Sequence, residues 1–289
     1  MRIQDKCIPC IVNQAIKVAD LVGLKEKEHL LRSVFGYLST VDFKGSSTPE
    51  LTGEIFSLLK KETGSMDPYK ETRTYYNNLF LEKLPELEQE IDEAKNPFLE
   101  SIKYAIIGNI IDFNPIHGLK LSDIEACFAR FKEEDLELDD SLLLRQELYK
   151  ADSLLYLGDN CGEICLDKIL IKKMKELNPK CQIFFATRGE AVVNDSVEED
   201  AYMVGMDAYA AIISNGDASL GTVLSRTSKE FQEVYQKADI VIAKGQANYE
   251  CLSDEKKNIF FLLMTKCGVI ADHIGAPVMK MLCMKNPLI

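Results

Sequence analysis

Asp159 and Asn160 stand side by side within Gly158-Asp159-Asn160-Cys161-Gly162-Glu163, between an apolar run at 153–157 and a helical pattern through Ile164, Ile169, Ile171 and Met174. The run reads as a buried strand. The pair therefore sits at a strand's carboxyl end, where open α/β sheets gather their ligands. A carboxylate beside an amide carbonyl supplies hard oxygen donors of the kind Mg²⁺ and Mn²⁺ prefer. The same two residues also suit a plain helix cap, so the choice depends on the company they keep.

That company is a repeated grammar of strand, polar turn and helix. Further apolar runs occupy 181–186, 210–213, 239–243 and 258–263. They are followed by Arg188-Gly189 with Val193-Asn194-Asp195, by Ser214-Asn215-Gly216-Asp217 with a helix expected through Leu220 and Val223, by Lys244-Gly245-Gln246-Ala247-Asn248, and by Thr265-Lys266. Short apolar runs alternating with helices imply a parallel sheet covered on both faces. Parallel strands bring their carboxyl ends to one edge, which would collect Asp159, Asn160, Asp195, Lys244, Asn248 and Lys266. Acids and ammonium groups on one rim suit a divalent cation on the carboxylates and a phosphate between it and the lysines. A merely solvated polar rim is the competing reading.

The elements before this region are helical. Patterns run through Ile11 to Val22, from 25 to 38, from Pro49 through Leu59, and onward from Asp67-Pro68. The charge-rich stretch 86–95 ends at Asn96-Pro97, which sets an expected boundary between a helical domain, 1–95, and an α/β domain, 96–289. The next helix carries Asn109 and Asp112 amid apolar residues, positions that read as helix surface or cap, and further helices are expected over 124–131 and 142–149. Near the amino terminus Cys7-Ile8-Pro9-Cys10 opens a helix. It is either half of a zinc site, a redox pair, or two packed thiols.

Composition excludes several function classes. The chain of 289 residues has 46 acidic and 34 basic residues, a formal net charge of −12, which leaves no basic face for nucleic acid. No stretch of about 18 apolar residues and no apolar leader occurs, so the reading is a cytoplasmic protein without a membrane partner. The nine cysteines then read as reduced thiols. Gly216 to Thr222 mimics a phosphate-binding loop but lacks its lysine, and a Gly-x-Gly-x-x-Gly dinucleotide loop is missing. There is neither an Asp-x-Asp pair nor a cysteine followed six places later by arginine, so two covalent phosphatase chemistries lack their nucleophile. Three histidines leave little material for a multi-His metal site.

Taken in order, Gly158-Asp159-Asn160-x-Gly162-Glu163, Val193-Asn194-Asp195, Lys244 to Asn248 and Lys266-Cys267 resemble the motifs of the damage-control phosphatases, a metal-dependent family. Asp5-x-Cys7-x-Pro9-Cys10, Ala105-x-x-Gly108-Asn109-x-x-Asp112 and Ala271 to Pro277 resemble its CxxC-bearing prokaryotic branch. The resemblance implies an N-terminal helical bundle joined to a Rossmann-like, mostly parallel α/β domain. It implies that Asp159, Asn160 and Asp195 hold Mn²⁺, Ni²⁺, Co²⁺ or Mg²⁺. It further implies that Lys244, Gly245, Gln246, Asn248 and Lys266, with Asn109 and Asp112, contact a small phosphorylated metabolite such as a sugar phosphate, and that Asp159, Asp195 and Lys266 carry the chemistry. Two alternatives stand beside a hydrolase: a non-catalytic phosphometabolite-binding protein, and a redox- or zinc-responsive regulator acting through Cys7 and Cys10.

Overall fold

The computed structural model describes residues 1–109 and 121–288; Asp112 lies outside the described residues. The helices of the amino-terminal part are α1 (Ile8–Leu21), α2 (Glu28–Leu38), α3 (Thr48–Thr63), α4 (Lys70–Glu93), α5 (Pro97–Ile107) and α6 (Leu121–Phe131). Their starts are written locally. Ser47 caps α3 by accepting from the Glu50 amide at 3.4 Å, with Pro49 in the first turn, and Asn96 caps α5 in the same way with Pro97 behind it. The chain then alternates: β1 (Leu138–Asp139), α7 (Ser141–Leu148), β2 (Ser153–Leu157), α8 (Glu163–Leu177), β3 (Gln182–Thr187), α9 (Glu198–Met203) and β4 (Ala211–Ser214). It closes with α10 (Lys229–Lys237), β5 (Ile240–Lys244), α11 (Gly245–Leu252), β6 (Ile259–Met264), α12 (Gly268–Ile274) and β7 (Met281–Lys285).

The strands form one sheet in the order β1-β7-β6-β5-β2-β3-β4. All pairings are parallel except β6 with β7. The five apolar runs of the sequence are β2 to β6, so the α/β reading holds. Two strands escaped it: β1 is too short to show a pattern, and β7 returns antiparallel at the end of the chain. The helix expected through Leu220 and Val223 is also absent. That stretch is irregular, with left-handed Gly216 and Gly221, and the next α-helix starts only at Lys229 behind a Ser228 cap.

Alternation along each strand sorts the core into two faces. Leu154, Tyr156, Ile240, Ile242, Phe260 and Leu262 pack with α4, α5 and α8. Leu155, Leu157, Val241, Ala243, Phe261 and Leu263 pack on the opposite face with α10, α11 and α12. A separate core joins α1, α2 and α3 to Val192 and Val193 of the loop after β3. Thus Tyr76, Phe80, Leu84 and Ile91 of α4 share the sheet's core although they precede residue 95. Among the described residues no helix is long and apolar enough to cross a membrane.

Strand order locates the site. From β2 the chain goes to β3 on one side, whereas the neighbour on the other side, β5, arrives later. The loops after β2 and β5 therefore diverge at a topological switch point and leave a crevice outside the strand ends.

Candidate functional site

Asp159, at the end of β2, is only 6 % exposed and is held from three directions. Its Oδ2 accepts from Asn109 Nδ2 at 2.9 Å and Asn160 Nδ2 at 3.0 Å, while Arg188 Nη2 lies 3.4 Å from its Oδ1. The β2 loop is laced to the loop after β3: Cys161 N donates to Asn194 O, Ser196 N to Asp159 O, and Asn160 bridges to Asp195. This lacing brings Asp195 beside Asp159. Arg188 Nε donates to Asp195 Oδ2 at 2.6 Å, so one buried guanidinium spans both carboxylates. Burial, with Asp195 and Glu163 nearby, pushes the Asp159 carboxyl well above the ordinary carboxylate range; Arg188 and Lys266 oppose that shift.

Glu163 determines which way two amides face. Its Oε2 accepts from both Asn109 Nδ2 and Asn160 Nδ2, each at distances of 2.9 to 3.0 Å. Each amide group thereby spends both N–H bonds on one carboxyl oxygen of Asp159 and one of Glu163. The Asn160 carbonyl oxygen is consequently turned away from them. Buried Asn109 Oδ1 and Asn194 Oδ1 lack a hydrogen-bond partner. An unpaired buried carbonyl is costly unless something else takes its lone pairs.

Behind Glu163 lies a fully buried charged network. Lys244 Nζ donates to Glu163 Oε1, to Asp167 Oδ1 at 2.7 Å and to Ala105 O at 2.8 Å, and Tyr156 OH donates to Asp167 Oδ1 at 2.6 Å. Burial pushes the Asp167 carboxyl up to about 7 against the pull of Lys244. Burial works against the Lys244 charge, yet Asp167 and Glu163 hold its pKa above that of an ordinary lysine.

The crevice is a cavity of about 210 Å³ lined by Asp159, Asn160, Asn194 and Asp195, by Lys266 after β6, and by three helix faces. Cys10, Ile11 and Gln14 come from α1, Thr48 and Thr52 from α3, and Gln246, Ala247 and Glu250 from α11. Spacings of three and four residues within each set, as from Cys10 and Ile11 to Gln14, from Thr48 to Thr52 and from Gln246 to Glu250, put it on one side of its helix. Gln246 Oε1 accepts from the Lys266 amide at 3.0 Å. Thr265 straps the turn at 277–280 through Pro277 and Lys280, which steadies the segment that carries Lys266.

The expected site residues thus divide. Asp159, Asn160, Asp195, Gln246 and Lys266 meet at the cavity. Asn109 touches Asp159 from behind, and Gly245 packs against Asp159 with its left-handed backbone. Lys244, expected on the substrate, is instead wholly buried under the site among carboxylates and cannot reach a phosphate in this arrangement. Asn248, likewise expected on the substrate, is buried between Gly158 O, Lys244 O and the Thr222 hydroxyl, tying strand ends together. The sequence reading passed over Arg188, which had one available signal: a cation directly at the end of a buried strand.

The donor set can be tested for a metal. Among the described residues no group of three or more His, Cys, Asp or Glu could hold an ion. What meets at the cavity is two carboxylates plus amide oxygens, the Asn160 carbonyl turned free of the carboxylates and Asn194 Oδ1 unpaired. That all-oxygen set fits a hard divalent cation and suits a soft one poorly.

The CxxC pair holds no disulfide; Cys7 is half-buried and Cys10 exposed. Partial burial, then Cys7 and Cys267 nearby, raise the Cys10 thiol. Alkylation of Cys10 by iodoacetamide near neutral pH should therefore run slower than that of a free thiol, measurable by mass spectrometry; faster alkylation would contradict the geometry.

Comparison with known proteins agrees with this architecture. The family model of the damage-control phosphatase ARMT1-like domain matches residues 3–282. A damage-control phosphatase of Pyrococcus horikoshii is 31% identical over 292 residues, covering 99% of each chain, and one of Archaeoglobus fulgidus is 30% identical over 286 residues, covering 96% of this chain and 97% of that one. The crystal structure of a DUF89 family protein from Pyrococcus horikoshii superposes with a TM-score of 0.91 at 30% identity, covering 99% of both chains. Matched by the family model over residues 3–282 and by these relatives over nearly its whole length, the chain belongs to the damage-control phosphatase ARMT1-like family.

Proposed function

We propose that this protein is a divalent-metal-dependent phosphatase that hydrolyses small phosphomonoesters. The observation that carries the proposal is the convergence of Asp159, Asn160 and Asp195 with Lys266 on one small cavity. In this reading Asp159, Asn160 and Asp195 hold the ion, Mn²⁺, Mg²⁺, Ni²⁺ or Co²⁺, with Asn194 adding a carbonyl oxygen. A bound dication would acidify water and offset phosphoryl charge.

The chain's own groups do the rest. Lys266 presents an ammonium to the phosphoryl oxygens, where charge redistributes as the ester bond breaks. Gln246 fixes the backbone that carries it. Arg188 offsets part of the charge of Asp159 and Asp195, so that a phosphate dianion meets a less negative wall. The faces of α1, α3 and α11 enclose the departing alcohol and keep bulk water from it. In the overall step the phosphorus–oxygen bond to the alcohol breaks, a bond from phosphorus to water oxygen forms, and the alcohol gains a proton.

The deciding experiment is release of inorganic phosphate from a panel of phosphomonoesters, with each metal and with chelator. Turnover that chelation removes and Mn²⁺ or Mg²⁺ restores is expected. Tight binding of the same esters without release would convict the reading and favour a non-catalytic binding protein. Trapping a base-labile phosphoenzyme would replace water by a carboxylate as the attacking group. Lys266→Met should lower kcat/KM by about 10–100-fold, the worth of one charge-assisted hydrogen bond; an unchanged value would remove Lys266 from the phosphate site.

A further inference from the structure

The loops after β2, β3 and β6 supply one half of the cavity wall, and α1, α3, α11 and Leu220 supply the other. Among the described lining residues there, Cys10, Ile11, Gln14, Thr48, Thr52, Gln246 and Ala247 carry no charge and Glu250 is the one ionisable acid. Glu250 sits one helical turn beyond Gln246 on α11, so both side chains face the same way. The buried Thr48 hydroxyl lies close to Glu250. A phosphoryl group held by Lys266 would place its alcohol in this half.

Resting on the phosphatase reading, we infer that Glu250 sets the charge class of substrate: the cavity takes phosphomonoesters whose alcohol part is neutral and hydroxylated or bears an ammonium group, and rejects those bearing a carboxylate or second phosphate. The reasons are local. A carboxylate accepts from substrate hydroxyl groups, and the Thr48 hydroxyl beside it can accept from them in turn. An ammonium gains a charge partner. A second anion would meet Glu250 in a partly desolvated wall whose lining residues in this half include no cation, the Met1 ammonium near Glu250 not being among them, and like charges there repel more strongly than in water. Burial pushes the Glu250 carboxyl up to about 7, with Thr48, the Met1 ammonium and Gln246 opposing, so discrimination is best read at about pH 8, where it is ionised.

The test uses the full chain with Mn²⁺ and three esters of similar size: glycerol 3-phosphate, phosphoethanolamine and 3-phosphoglycerate. The wild type should favour the first two over the third by about 100-fold in kcat/KM. Glu250→Gln, nearly isosteric, should raise the ratio of 3-phosphoglycerate to glycerol 3-phosphate about tenfold and lower that of phosphoethanolamine to glycerol 3-phosphate. Opposite movement of two ratios cannot arise from a general loss of structure, and Glu250→Asp should keep the wild-type order.

A wild-type preference for 3-phosphoglycerate, or ratios unmoved in Glu250→Gln, would overturn the inference while leaving phosphatase activity intact. Dissociation constants for the same esters, measured by calorimetry, separate the two claims. Absent turnover with the charge order preserved in binding sinks the hydrolase reading and keeps the role of Glu250. No binding of any ester removes both.

Discussion

Gly245→Ala should reduce phosphate release by at least about 100-fold while leaving the fold in place. A Cβ built on Gly245 would lie 1.8 Å from Asp159 Oδ2 and 2.6 Å from its Cγ, with Asn109 Nδ2 at 3.3 Å. Either Asp159 or the start of α11 must shift by more than an ångström. Asp159 is the movable party, since β5 is locked between β2 and β6. Its carboxylate would then leave the two amides that align it and lose its place beside Asp195. The backbone adds its own cost, because Gly245 has φ of +76° and a side chain in that region is strained by about 1 kcal/mol. Gly64→Ala separates these effects: Gly64 has φ of +70° but nothing within 4 Å, so that variant bears the strain without the collision. Activity and Mn²⁺ affinity, the latter by calorimetry, should collapse in Gly245→Ala and persist in Gly64→Ala. If Gly245→Ala turned over normally, the close approach of β5's loop to Asp159 would be refuted.

Lys244→Met is the second large effect, and it should appear in stability before catalysis. Lys244 is completely buried and makes three bonds, to Glu163, Asp167 and Ala105 O. Its removal leaves two buried carboxylates without their cation, a change that costs about 3–5 kcal/mol. For a chain of this size that is a fall in Tm of about 10 °C, readable by calorimetry. Glu163 would lose its anchor, and with it the fixed facing of Asn109 and Asn160. Adding Glu163→Gln and Asp167→Asn to Lys244→Met should recover part of the stability, because the stranded charges are then gone, but not the activity. A phosphate-contacting lysine would behave differently, with a raised KM at native Tm. That pattern would mean that Lys244 is not where the structure puts it.

Much of the fold was written in local sequence. Short continuous apolar runs and helix starts such as Pro49 and Asn96-Pro97 depend on residues within a few positions of one another, so β2 to β6 and most helices could be read directly. So could the gathering of Asp159, Asn160, Asp195 and Lys266, since parallel strands bring their carboxyl ends to one edge whatever else happens. Strand order, however, depends on which faces pack, and only the assembled sheet put β5 beside β2, Gly245 against Asp159 and the crevice between them. The two faces of one rim were likewise decided in three dimensions. Lys244 ends β5 two places after Ile242 and four after Ile240, so it continues the side that packs with α5 and α8, and with Asp167 and Glu163 rising from α8 it became a buried counter-ion. Lys266 lies beyond the last residue of β6, free of that alternation, and came out at the cavity. Arg188 looked like an ordinary loop cation because the two carboxylates it spans are 29 and 7 residues away. The sequence named the chemistry available at the sheet's edge, and burial, which depends on distant segments, chose the side chains that use it.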